Sequence, residues 1–174
     1  MSEAPFLLDS NVFIEAHRRY YNHRICPGFW KALKHFLGSP RMLSIDKVRA
    51  ELVDGKDDLS NWITRSLTPA SFVSSGQAAV LNRYAEIQKW AVAQNRFTSA
   101  ALRDFADAEK ADAWLIAYAL ENGSTLVTHE GNDPKLNKRV LIPVVCQVFS
   151  VPVIDTFVML KNLEIRFGWS PAVP

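Results

Sequence analysis

The sequence predicts an α/β fold with a central, mainly parallel β-sheet flanked by α-helices. Short β-branched or leucine-rich runs, "PFLLD", "RMLSI" and "STLVTHE", alternate with longer segments of helical periodicity. Alternation of that kind points to a parallel sheet. The 174 residues are 48% hydrophobic and 22% charged, which suits one ordered domain able to bury a real core. The expected organisation is a single domain over residues 1–168 and a peripheral tail over 169–174. No internal repeat, low-complexity tract or linker is visible.

"PFLLD" reads as a buried strand, with Asp9 or Ser10 capping a helix through "VFIEAHRRYY". "PGFWKALKHFLGSP" is a helix with Pro27 near its start; Gly38 and Pro40 stop it. "RMLSI" is a weaker strand, and "DKVRAELVDG" a helix with Asp46 near the cap position and Gly55 at its end. "DDLSNWITRSL" is a further helix. In the long helix "SSGQAAVLNRYAEIQKWAVAQ", Val80, Leu81, Tyr84, Ile87, Trp90 and Ala91 follow the 3.6-residue period. "DAEKADAWLIAYALENG" is a helix ended by Gly123, and "STLVTHE" is a buried strand. "RVLIPVVCQVF" and "VPVIDTFVMLKNL" each read as a strand running into a helix.

The net charge is +2, so any nucleic-acid binding rests on local patches rather than bulk charge. Cys26 and Cys146 lie far apart in apolar flanks and form no CxxC, so neither a thiolate zinc site nor a disulfide is expected. No basic n-region with an apolar h-region opens the sequence, and no apolar run reaches about 18 residues. A cytoplasmic protein without a membrane span is the expectation.

Two of the strand runs end on an acid. Asp9 closes "PFLLD" and Glu130 closes "LVTHE". In parallel α/β sheets, sites lie beyond the carboxyl ends of the strands, so both carboxylates are delivered to one edge. Asp112 sits at the start of the apolar helix "ADAWLIAYA", and Glu51 is the analogous acid in "VRAEL". Each alone has a plain explanation: a helix cap, a favourable helix-terminal charge, a solvated helical acid or a loop acid. Only the set is informative. Crowded carboxylates repel and raise their pKa unless a cation compensates, and hard oxygen donors suit Mg²⁺ or Mn²⁺.

"LLDSN", "VRAEL", "KADAWLIAYA" and "LVTHE", in that order, resemble the PIN domain, the metal-dependent ribonuclease fold of VapC-like bacterial toxins. "ADAWLIAYA", "LVTHE", "IPVVC" and "FVML" resemble the DUF4411 branch in particular, and the likeness runs from Phe6 to about Phe167. The resemblance implies a PIN-like fold and Asp9, Glu51, Asp112 and Glu130 as catalytic metal ligands. It implies Asn11 and Thr128 as residues that hydrogen-bond the ligands. The family's fourth acid is often Asp, so Asp133, three residues after Glu130, is an alternative. Glu109, three before Asp112 and on the same helix face, is a candidate outer ligand.

The implied reaction is Mg²⁺- or Mn²⁺-dependent hydrolysis of an RNA phosphodiester. The implied partners are the RNA substrate and a cognate antitoxin that blocks the site, in a type II toxin–antitoxin setting; homodimers are common in the family. "EAHRRYYNHR" mixes Arg18, Arg19 and Arg24 with Tyr20 and Tyr21, a combination that can grip phosphates and stack bases, or form a solvated face or a protein interface. Lys135, Lys138 and Arg139 in "DPKLNKR" form a second basic candidate, and His129 adjoins Glu130. A phosphatase of the haloacid dehalogenase type would need Asp-x-Asp, and Asn11 stands in the second place. A DNA-directed, structure-specific nuclease of the flap type is usually longer, with more acids. A catalytically inactive PIN-like nucleic-acid-binding module would not need all four acids.

Overall fold

A computed structural model describes residues 4–168; the tail expected over 169–174 lies outside the described residues. The chain opens with β1 (Phe6–Leu8), α1 (Ser10–Glu15), a π-helical turn (Ala16–Tyr20) and α2 (Pro27–Phe36). β2 (Met42–Ile45), α3 (Asp46–Asp54), α4 (Asp58–Ser66), a 3₁₀ turn (Pro69–Ser71) and β3 (Phe72–Val73) follow. The second half holds α5 (Ala78–Ala93), α6 (Ser99–Phe105), α7 (Asp112–Asn122), β4 (Thr125–Val127), α8 (Ile142–Val148), β5 (Val153–Ile154) and α9 (Thr156–Asn162).

The strands form one sheet in the order β3-β2-β1-β4-β5, with every pairing parallel. The expected α/β architecture holds, and the sheet is wholly parallel. Leu7 faces Leu43 on one side and Leu126 on the other, and all three residues of β1 are buried. A strand covered on both faces needs apolar residues at every position, which is why "FLL" shows no alternation. Progress through the sheet reverses at β1: β2 and β3 build outward on one side, β4 and β5 on the other. That reversal opens a crevice beyond the carboxyl ends of β1 and β4.

α7 is buried from Ala113 through Tyr118 and on to Ala119, and it packs against α5, where Tyr84 stacks on Trp114 at 4.1 Å. Its all-round apolar sequence fits a helix held inside the fold. Gly123, at φ 66°, takes the left-handed conformation that ends α7 and turns the chain into β4. α7 thereby holds Asp112, its first residue, at a fixed distance from the sheet edge.

Several local expectations are corrected. "RVL" before α8 is not a strand: Val140 and Leu141 are buried but pair with no neighbour, because β5 already occupies the place beside β4. The helix of "VFIEAHRRYY" breaks into α1 and a π-helical turn, closed by Tyr21 N–H donating to Ala16 O at 2.9 Å. Asp46 does stand next to the cap, as the first residue of α3, and its Oδ1 accepts from Ser75 N–H and Oγ, tying the segment after β3 to α3. α7 begins only at Asp112. Glu109 therefore lies in the preceding turn and shares no helix face with Asp112. β3 and α6 carry too little pattern to read from sequence. Among the described residues, no helix is long and apolar enough to cross a membrane.

Candidate active site

Asp9 follows β1 directly and its N–H donates to Val127 O at 3.0 Å, which locks it to the end of β4. It occupies the N-cap position of α1 yet makes no side-chain cap bond. Its carboxylate is instead enclosed by hydroxyl and amide donors at the sheet edge. Oδ2 accepts from Thr128 Oγ1 at 2.7 Å and from Asn11 Nδ2 at 3.1 Å, and Oδ1 from Ser10 Oγ at 3.3 Å. Asp9 is only 1% exposed. Burial pushes its carboxyl above the usual range, against the lowering effect of these donors.

Thr128 couples two of the acids. Its hydroxyl donates to Asp9 and accepts the Glu130 N–H at 3.1 Å. Glu130 is then fixed at both oxygens: Oε1 meets Arg139 Nη2 at 2.7 Å, and Oε2 accepts the Ile142 N–H, also at 2.7 Å. Burial raises the Glu130 carboxyl, opposed by Ile142 and Arg139. Glu51, on α3, accepts the Ala111 N–H at 2.8 Å, at the residue before α7. Burial raises it as well, and the Asp9 charge adds to the rise. Thr128→Val is expected to remove the shortest of the three hydrogen bonds to Asp9 and to leave the Glu130 amide unpartnered, lowering stability by about 2 kcal/mol and the melting temperature by about 4–8 °C. Thermal denaturation checks this; an unchanged midpoint would mean that the Thr128 bridge contributes nothing.

Asp112 differs from the other three. It is half-buried, and its carboxylate accepts no hydrogen bond from any described residue. Its pKa is pushed up to about 7, first by burial, then by the charges of Asp9, Glu130 and Glu51, with Arg139 opposing. The four acids thus come to one neighbourhood and feel one another electrostatically. Among the described residues, however, no group of three or more His, Cys, Asp or Glu side chains is gathered tightly enough to hold a metal ion as it stands. The local reason is that Glu51, Glu130 and Asp9 are each drawn toward hydrogen-bond donors of the protein. The donor chemistry nevertheless fits a hard divalent cation: all-oxygen ligands, and one half-buried carboxylate with no donor of its own.

The remaining candidates separate. Asp133 is exposed and its Oδ1 accepts the Lys135 N–H, whereas Glu130 is the acid tied to Asp9 through Thr128. Glu109 is exposed and faces Lys47 at 3.6 Å. A cleft of about 550 Å³ opens beside Glu130, with Arg19, Tyr20, His129, Asp133 and Arg139 in its wall. Arg19 pairs with Glu15 at 3.1 Å. Arg18, Lys135 and Lys138 are exposed but do not line this cleft. Tyr21 stacks on Phe29 at 4.7 Å, a packing role. His129 is held in place: Nε2 lies 2.8 Å from Thr156 Oγ1 and the ring packs against Tyr20 and Phe157.

Arg139, a basic candidate from the sequence, lines the cleft and is also the ion partner of Glu130, a pairing the sequence did not suggest; nor did it suggest the role of the Ile142 amide, which a loop of a dozen residues brings to Glu130. Cys26 and Cys146 are both free, and burial pushes the Cys146 thiol up to about 12, so it is no nucleophile.

No curated protein matches the sequence at a significant level. Among solved structures, the fold is similar to a chain of VapBC2 from Rickettsia felis bound to a DNA fragment from their promoter. The TM-score is 0.52 at 12% identity, over 86% of this chain and 97% of that one. The likeness at that identity concerns the fold, and it agrees with a PIN-like architecture. The family model described as "Domain of unknown function (DUF4411)" matches residues 6–167, which takes in all four acids, and the chain belongs to that family.

Proposed function

We propose that this protein is a metal-dependent endoribonuclease hydrolysing RNA phosphodiester bonds, and that it acts as the toxin of a type II toxin–antitoxin pair. The observation that carries the reading is the Asp112 carboxylate, half-buried, without a hydrogen-bond donor, and facing Asp9, Glu51 and Glu130. A folded protein keeps such a group where it has a use for it. Asp9, Glu51, Asp112 and Glu130 would hold the ion, Mg²⁺ or Mn²⁺. Bound there, a divalent cation supplies charge neutralisation at the scissile phosphate and lowers the pKa of the attacking water.

The protein's own groups do the rest. Thr128, Asn11 and Ser10 fix the Asp9 carboxylate. The Ala111 amide orients Glu51, and the Ile142 amide with Arg139 orients Glu130. Arg139 lies on the cleft wall with more than half of its side chain exposed, so it can offer charge to a phosphate while still near Glu130. Arg19, Tyr20 and His129 supply cationic and aromatic surface beside it. The similarity to VapBC2, whose structure holds a promoter DNA fragment, supports a protein partner for this chain, a cognate antitoxin; a homodimer and a cytoplasmic setting complete the proposal.

A second reading is a catalytically inactive nucleic-acid-binding module, favoured by the absence of a gathered metal group among the described residues. Purified protein incubated with RNA and DNA of one sequence, in Mg²⁺, in Mn²⁺ and in EDTA, separates the readings. RNA cut only with metal is expected. Cleavage of DNA instead would make it a DNA-directed nuclease, and metal binding without cleavage would select the inactive module.

A further inference from the structure

We propose that the cavity between the segment after α1 and helix α4 is a docking pocket for one nucleotide of single-stranded RNA, apart from the scissile phosphate; this rests on the ribonuclease reading. The pocket encloses about 530 Å³ and is lined by the π-helical turn and the loop after it on one side, and by α4 on the other. That volume lies within the roughly 300–1,000 Å³ of small-ligand sites.

The wall combines stacking surface with phosphate donors. Trp62 is half-buried against Trp30, with ring centroids 4.8 Å apart, and against His23 at 5.6 Å. His23 itself stacks on Trp30 at 3.8 Å, so the aromatic wall is rigid. Arg24 and Arg65 are exposed on the rim, and neither guanidinium has an ion partner among the described residues. Asn61 contributes a side-chain amide that is likewise unused. Asp58, the one acid in the wall, can accept from the N–H donors of a base edge. His17 Nδ1 and His23 Nε2 are buried ring nitrogens with no hydrogen-bond partner, an unsatisfied polar pair in the pocket wall. Aromatic faces, two free guanidiniums and base-edge partners together match a nucleotide better than a protein side chain.

Position links this pocket to the candidate active site. Glu15, Arg19 and Tyr20 line the cleft beside Glu130, and His17, His23 and Arg24 line the pocket, so one ten-residue segment borders both. The π-helical turn and the loop after it put Arg19 and Tyr20 on the cleft and His17, His23 and Arg24 on the pocket, which splits what reads in sequence as a single basic and aromatic patch. An RNA strand lying along Glu15–Arg24 would reach both.

The test is fluorescence anisotropy with a 5′-labelled 12-nucleotide single-stranded RNA in EDTA, between 50 and 300 mM KCl. The full-length parent is compared with Arg24→Ala/Arg65→Ala, with Trp62→Ala, and with Lys89→Ala/Arg103→Ala on α5 and α6 as a charge control. The arginine pair is exposed, so that variant stays folded even if Trp62→Ala does not. Removing the arginines is expected to weaken binding about tenfold at low salt and to flatten the slope of log K against log salt by about 1.4, some 0.7 for each lost phosphate contact. Trp62→Ala is expected to weaken binding about tenfold with the slope unchanged. Unchanged affinity and slope in the arginine variant, or an equal loss in the control pair, would overturn the pocket and leave it to a protein partner or to bulk charge. Failure of the parent to cleave RNA with metal would overturn the ribonuclease reading instead, and the pocket would then stand or fall on binding alone.

Discussion

Asp112→Asn is expected to abolish Mg²⁺- or Mn²⁺-dependent RNA cleavage, by about 10³-fold or more, without unfolding the protein. Asp9→Asn is expected to do the same. The size follows from chemistry: a bound divalent ion contributes several kcal/mol of charge stabilisation in the transition state, and each 1.36 kcal/mol is tenfold in rate. An amide at position 112 keeps the shape of the side chain but loses the charge. The helix is expected to stay in place, because Ala113 through Ala119 pack α7 inside the fold independently of the first residue. Single-turnover cleavage with saturating metal, alongside circular dichroism, separates lost chemistry from lost structure. Activity within tenfold of the parent would remove Asp112 from the reaction.

The same substitution is expected to raise the melting temperature of the metal-free protein. Asp112 is pushed from 3.8 to about 7 by burial and by the facing carboxylates of Asp9, Glu130 and Glu51. A rise of that size corresponds to a penalty of about 4 kcal/mol on the ionised form. The sign follows directly. Below pH 3.8 Asp112 is protonated in both states and costs nothing. Between 3.8 and about 7 the unfolded chain ionises first, so the parent loses stability as pH rises, and above about 7 the loss is complete. Asn resembles the protonated acid, so parent and variant should melt together near pH 4 and separate toward pH 8. Because Asn retains a desolvation cost, about half of the penalty is recovered, near 2 kcal/mol, or about 4–8 °C in a chain of this length. Mg²⁺ should stabilise the parent by binding the folded state and the variant less. A variant that melts below the parent at pH 8 in low salt would mean that the acids do not oppose one another.

Much of the frame was legible because parallel strands are buried on both faces and announce themselves as short apolar runs. "PFLLD" and "STLVTHE" gave adjacent strands in the sheet, and the acids that end them stand at its switch point for the same reason. α7 was legible from composition, since the unbroken apolar run from Ala113 to Leu120 belongs inside. What escaped depends on contacts between distant residues. β3 has only Phe72 and Val73, and its register against β2 is held by packing and by the Ser75–Asp46 tie, not by a pattern of its own. "RVL" has strand composition, but β5 takes the place beside β4 and Arg139 lies in a bend, so the segment pairs with no strand. Glu109 looked like a helical neighbour of Asp112 because spacing alone cannot tell where a helix begins. Its N–H goes to Asp107 Oδ1 instead, in a turn before α7. The Arg139–Glu130 pair was hidden by the loop between them, although both residues were noticed for other reasons.

The claim that Asp9, Glu51, Asp112 and Glu130 together make a divalent-cation site is tested most directly by Mn²⁺ binding. Electron paramagnetic resonance of free Mn²⁺, titrated against the parent and against Asp112→Asn at pH 8, measures occupancy without any need for substrate. Saturable binding by the parent, at least tenfold weaker in the variant, is expected. The contradicting result is binding of equal strength in both proteins, or no saturable site in the parent at millimolar Mn²⁺.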